Sequence, residues 1–179
     1  MRSSLLAPTA AGPRLATTVL ADMLAGLATA ESLWRPHVAH DAYDRARIRL
    51  LATPAYEVWL LGWTPGQSVG LHDHGDANGA FAVVDGELVE TSLTSFGLVD
   101  EVLATGDVGR VPAGAIHDVS NRSARNATSL HVYSRPLRAM GFFRADGELI
   151  GIDAVQDEPP VIPSGTLARA LHPAGVPWR

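Results

Sequence analysis

The stretch Gly66-Gln67-Ser68-Val69-Gly70-Leu71-His72-Asp73-His74-Gly75-Asp76 sets two histidines two residues apart between glycines. In a strand or at its end, residues two apart point to the same side, so His72 and His74 can meet one ion while Asp73 faces away. Around this stretch lie short apolar or alternating runs, Tyr56–Trp63, Ala80–Val84, Leu88–Leu93, Glu101–Ala104 and Thr128–Tyr133, separated by Gly, Pro, Asp and Asn. They read as strands joined by turns, with Asp85-Gly86 and Asp146-Gly147 as hairpin turns. Their close spacing from Arg47 to about Phe143 predicts an all-β chain folded as an antiparallel sandwich or barrel.

Upstream, Leu15, Val19, Leu20, Met23, Leu24 and Leu27 recur at helical spacing, which predicts one amphipathic helix within Leu15–Leu33, packed outside the sheets. A second helical turn is expected near Ala39–Ala46. Residues 1–13 are small, polar and proline-punctuated, the composition of a flexible N-terminus. Residues 14–153 are expected to form a single domain with an N-terminal helical cap. Residues 154–179 are proline-rich with a helical patch at Thr166–Leu171, and are expected to wrap the barrel as a C-terminal extension.

At 179 residues and 46% apolar content the chain can bury one continuous core. A formal charge of −5 supplies no basic field for a phosphate backbone, which argues against nucleic acid as a partner. The absence of cysteine excludes a disulfide framework and a protein thiol nucleophile, so any thiol chemistry must be the substrate's. Pro8, Pro13 and Arg14 break up a signal core, and no run approaches the ~20 apolar residues of a membrane span. The expected location is therefore cytoplasmic, without membrane contact.

A second block follows the histidine pair: Gly106, Pro112, Gly114, His117 and Asn121. With Gly66 six residues before His72, and Gly86 after the next strand, the two blocks resemble those of the cupin superfamily over roughly residues 56–143. The resemblance implies a cupin double-stranded β-helix, a jelly-roll-like barrel, with His72, His74 and His117 as ligands of one metal ion. It departs from the usual pattern at one position, because the glutamate of the first block is replaced by Gly79, with Asn78 beside it. Three neutral imidazoles would then leave about three octahedral positions open and keep the ion's full charge, which favours an anionic ligand such as a thiolate or carboxylate.

Ser129-Leu130-His131-Val132-Tyr133 adds to this, since period two puts Ser129, His131 and Tyr133 on one strand face. The row resembles the Ser-His-Tyr relay of the bacterial type of cysteine dioxygenase-like thiol dioxygenases, which hold iron on three histidines. Gly79 fits that branch: vertebrate members carry there a cysteine crosslinked to the relay tyrosine, and many bacterial members carry glycine. Tyr133 would then be a free phenol. The resemblance implies ferrous iron, Fe(2+), as cofactor, O2 and a small thiol as substrates, and Tyr133, His131 and Ser129 as catalytic residues.

In this family an arginine on an early strand binds the substrate carboxylate, where relatives that use 3-mercaptopropionate have glutamine. Arg45, Arg47 and Arg49 are candidates that share a face if extended; Arg49 is the preferred register and Arg47 the next. An arginine tilts the choice toward L-cysteine, with cysteine sulfinate as product. Arg135, in place of a family proline, and Met140, in place of a pocket cysteine, alter the surroundings. The alternatives are a dioxygenase for 3-mercaptopropionate or another small thiol, and a non-catalytic cupin that binds zinc, another metal or a small ligand. Trp63 reads as packing.

Overall fold

The computed structural model describes residues 13–162. The first helix, α1 (Thr17–Thr29), lies within the expected span and turns Leu20, Ala21, Met23, Leu24 and Leu27 inward. Val19, expected on the same face, stands at its margin and is 41% exposed. The helix has no side-chain N-cap, so packing holds it rather than capping. A short α2 (Glu31–Trp34) and a 3₁₀ turn at Arg35–His37 follow. The helical turn expected near Ala39–Ala46 does not form: that segment is irregular with bends, and its mixed charged and apolar residues offer no helical face to bury.

Ten strands follow: β1 (Arg47–Ala52), β2 (Glu57–Trp63), β3 (Asn78–Asp85), β4 (Glu87–Thr94), β5 (Gly97–Ala104), β6 (Val108–Val111), β7 (His117–Ser120), β8 (Ala127–Ser134), β9 (Ala139–Phe143) and β10 (Leu149–Ala154). One sheet has the order β1-β2-β8-β3-β6, a second β5-β4-β7, and β9 pairs with β10. All these pairings are antiparallel. Bridges from Ser68 to Ser120, from His72 to His117 and from His72 to Phe142 seat the histidine stretch between β7 and β9, which continues the second layer through to β10. Two antiparallel layers face each other in the cupin double-stranded β-helix, with α1 outside.

Alternation along the central strands divides the core in two. Val58 and Leu60 of β2, Ala80 and Ala82 of β3, and Leu130 and Val132 of β8 face outward and pack with Leu20, Met23, Leu24 and Leu27 of α1. Trp59, Leu61, Trp63, Phe81 and Val83 face inward and meet Leu88, Leu103 and Val119 of the opposite layer. Both β2 and β8 are buried throughout; β2 reads as a nearly unbroken apolar run, whereas β8 alternates apolar with polar residues.

Asp146-Gly147 closes a hairpin between β9 and β10 as expected. Asp85-Gly86 does not, because β3 and β4 belong to different sheets. Gly86 instead turns the chain from one layer to the other, at φ 79° and with no room for a Cβ against Asn126 and Ala127. Beyond β10, Val161 and Ile162 donate backbone hydrogen bonds to the carbonyls of Arg49 and Leu50 on β1. The helical patch at Thr166–Leu171 and the first twelve residues lie outside the described residues.

Candidate metal centre

His72 and His74 lie on the irregular segment that joins β2 to β3 and is seated between β7 and β9, and His117 opens β7. The main chains of His72 and His117 bond reciprocally, N to O at 2.8 and 2.9 Å, which fixes the two ring origins across the layer. Asp73 faces away, as expected, and its carboxylate accepts from the backbone N–H groups of Gly75 and Gly141. All three histidines are buried and their candidate ligand nitrogens lie within 4.8 Å of one another. His74 Nε2 is 3.2 Å from His72 Nε2 and 3.4 Å from His117 Nε2.

The outer nitrogens of His72 and His117 bear on what their inner atoms are, while His74 Nδ1 has no hydrogen-bond partner among the described residues. His72 Nδ1 lies 2.8 Å from the Gly70 carbonyl, an acceptor only, so it carries the proton and Nε2 is a bare lone pair. His117 Nδ1 lies 2.7 Å from a Glu90 carboxylate oxygen, which leaves its Nε2 bare in the same way when the ring is neutral. Burial and the neighbouring His117 lower the pKa of His72 to about 3, and burial first, then His117 and His72, hold His74 well below the ordinary value. With its lone pair turned inward, His72 Nε2 faces the Nε2 atoms of its two neighbours, an arrangement that a cation among them would satisfy. Separations of 3.2 and 3.4 Å are those of nitrogens about 2.0–2.1 Å from a shared ion. The residues fit a divalent metal, and among the described residues no carboxylate joins them.

Gly79 sits directly across from Tyr133 in the β3–β8 pairing. A Cβ there would come within 3.1 Å of His74 Nδ1 and 3.4 Å of a Tyr133 ring carbon. At the place expected for a fourth ligand the His74 ring lies close, with the Tyr133 ring in ordinary contact beyond it. Asn78 has a scaffold role, bonding to the Leu15 carbonyl and the Ala113 N–H. Asn121 does likewise, donating to the carbonyls of Trp63 and Arg125.

The inward face of β8 carries the predicted row. Ser129 Oγ is 2.8 Å from His131 Nε2, and Tyr133 Oη is 3.2 Å from His131 Nδ1. Phe81 stacks on the His131 ring at 5.2 Å, and the Tyr133 ring meets His74 edge-on at 4.8 Å. Burial lowers the pKa of His131 and raises that of Tyr133, so the ring is neutral and the phenol protonated. Trp63, read from sequence as packing, also donates its indole N–H to Ser129 at 2.8 Å.

One cavity of about 690 Å³ is lined among others by His72, His117, His131, Tyr133, Met140 and Arg45. Arg45 precedes β1, and its guanidinium lies 4.8 Å from the Trp63 ring centroid. Among the described residues it makes no ion pair, and burial works against its charge. Arg47 also borders the cavity but leans toward Glu158 at 3.4 Å. Arg49, the preferred register from sequence, borders a different cavity, where it pairs with the buried Glu57 at 2.8 Å and with Asp157. The structure therefore gathers the three histidines, the β8 row, Arg45 and Arg47, and leaves Arg49 outside. Sequence reasoning also missed Glu90, whose only signal is an acidic residue in the otherwise buried middle of β4.

A family model described as cysteine dioxygenase type I matches residues 14–145. The chain belongs to the cysteine dioxygenase type I family. That family placement makes it an enzyme of dioxygenase type. Solved structures show the same fold. The protein TT1209 from Thermus thermophilus aligns at a TM-score of 0.52 and 26% identity, over 57% of this chain and 93% of its own. A double-stranded β-helix protein from Klebsiella pneumoniae aligns at 0.52 and 17%, over 69% and 94%. The DMSP lyase DddQ from Ruegeria pomeroyi aligns at 0.50 and 19%, over 62% and 58%. The last two likenesses bear on fold alone. Among the described residues no helix is long and apolar enough to cross a membrane.

Proposed function

We propose that this chain is a thiol dioxygenase that adds both atoms of O2 to the sulfur of a small thiol carboxylate, with L-cysteine as substrate and cysteine sulfinate as product. His72, His74 and His117 would hold ferrous iron, which when bound supplies the redox chemistry and favours thiolate over thiol. The observation that carries the reading is the convergence on one cavity of two histidines of the three-histidine cluster, a protonated phenol and an arginine without a carboxylate partner among the described residues.

Each protein group has a distinct task. Arg45 supplies the positive charge for the substrate carboxylate, and the ring of Trp63 beneath it keeps the guanidinium in place. Arg49 is poorly suited to that task because Glu57 and Asp157 already neutralise it. Tyr133 donates a hydrogen bond into the cavity and orients the reacting groups, and the apolar walls from Leu61, Val119 and Phe142 limit water.

The test is oxygen uptake by iron-loaded protein across cysteine, 3-mercaptopropionate, mercaptosuccinate and cysteamine, with sulfinate measured as product. Cysteine is expected to be turned over most efficiently. Arg45→Ala is expected to raise the KM for cysteine roughly 10- to 100-fold, matching loss of one charge-assisted hydrogen-bonded pair, while leaving cysteamine unaffected. Absence of sulfinate with every thiol would refute the reading, and an equal effect on cysteamine would remove Arg45 from the carboxylate site.

A further inference from the structure

The row on β8 does not end at Ser129, because Trp63 on the neighbouring strand donates to the same hydroxyl. An indole N–H can only donate, whereas a hydroxyl donates once and accepts through two lone pairs, and a neutral imidazole donates through one nitrogen and accepts through the other. Those rules leave two ways to place the protons along Trp63, Ser129, His131 and Tyr133.

In the first, Ser129 accepts from Trp63 and gives its own proton to His131 Nε2. His131 then carries its proton on Nδ1 and donates it to the Tyr133 oxygen, which leaves the phenol proton free to point into the cavity. In the second, His131 carries its proton on Nε2 and donates to Ser129, while Tyr133 donates to Nδ1. Ser129 would then accept twice, and among the described residues its own proton would have no acceptor, since Trp63 and His131 are its Oγ partners there and the residue is 0% exposed. An unpaired buried donor is costly, whereas the free phenol proton of the first arrangement borders the cavity, where water or substrate accepts it. A doubly protonated ring is opposed by the burial of His131 and by Arg45.

We propose that Trp63 is a positioning residue that sets the direction of the relay: it meets Ser129 with a donor and offers no acceptor, which leaves His131 Nε2 to take the Ser129 proton and so fixes His131 as the Nδ1–H tautomer and Tyr133 as a hydrogen-bond donor into the cavity. The relay then does not take a proton from Tyr133. His131 has no vacant lone pair on the side of the phenol, so the phenol serves as a donor rather than as a base activated by histidine. The catalytic part rests on the function proposed above; the tautomer itself does not, and is measured without turnover.

The test is ¹⁵N-detected NMR of histidine-labelled, zinc-loaded protein, which reports the protonated ring nitrogen of His131 free of paramagnetic broadening. The unsubstituted protein is expected to show a single Nδ1–H tautomer, and an Nε2–H tautomer there overturns the proposal. Trp63→His keeps a ring beneath Arg45 but can offer Ser129 an acceptor, and is expected to yield a mixed or reversed tautomer. In that iron-loaded variant kcat is expected to fall roughly tenfold with KM within about twofold, the scale of one hydrogen bond. An unchanged Nδ1–H tautomer in Trp63→His also overturns the proposal. Should that variant fail to fold, Trp63→Phe offers Ser129 neither donor nor acceptor: a retained Nδ1–H tautomer supports the assignment, and its loss refutes it. An inactive unsubstituted enzyme with an Nδ1–H His131 would refute the dioxygenase function and leave the tautomer standing.

Discussion

The two faces of β8 are built from alternate residues of one eight-residue strand, yet they do different work. Leu130 and Val132 look outward to α1 and are wholly apolar in their surroundings. Ser129, His131 and Tyr133 look inward, equally buried, and form a hydrogen-bonded row ending at the metal site. The difference teaches that burial alone does not separate scaffold from chemistry in this fold. What separates them is whether a buried polar atom has its partner on its own face.

Substitutions on the outward face should therefore cost stability and spare the site. Leu130→Ala is expected to lower unfolding free energy by about 2–5 kcal/mol, read by denaturant titration, with metal affinity of the folded protein unchanged. A coupled loss of metal affinity would break the separation. On the layer facing β8, Glu90→Gln is expected to weaken metal binding roughly 10- to 100-fold by titration calorimetry, since the carboxylate orients His117 and makes it more basic. An unaltered affinity would reduce Glu90 to a packing residue.

Of the two faces of β8, acid should act on the inward one. His131 and, in metal-free protein, His72 and His74 are held neutral below the ordinary histidine value of 6.5. In that range the unfolded chain binds protons that the folded chain does not, so stability is complete above about pH 6.5 and lost as pH falls toward the His72 value of about 3. Each such histidine contributes a slope of up to about 1.4 kcal/mol per pH unit. Metal-free protein unfolded by denaturant between pH 7 and pH 4 should show that slope, and His131→Asn should reduce it. The smallest effect is expected from Tyr133→Phe, which removes one long hydrogen bond and should change stability by no more than about 1 kcal/mol while turnover falls and metal is retained.

Much of this is legible in the sequence because period two and the spacing of two glycine-histidine blocks are local signals. His72, His74 and His117 converge, the β8 row shares a face, and α1 packs outside, all as read. The misses are of another kind. Alternation treats Arg45, Arg47 and Arg49 alike, but Arg45 precedes β1 and the strand bulges between Arg49 and Leu51, so one periodic register cannot rank them. Trp63 and Glu90 act through partners 66 and 27 residues away, set by strand pairing that no local pattern encodes. Asp85-Gly86 and Asp146-Gly147 look alike in sequence, but only the second joins two strands of one sheet.

The closeness of Gly79 to both His74 and Tyr133 couples two choices that chemistry would otherwise make separately. A side chain introduced at position 79 would need the His74 ring to give by a few tenths of an ångström while resting in ordinary contact with the Tyr133 ring. An acidic fourth donor grafted there would thus come at the expense of the placement of one imidazole, so a redesign of position 79 must also re-seat His74.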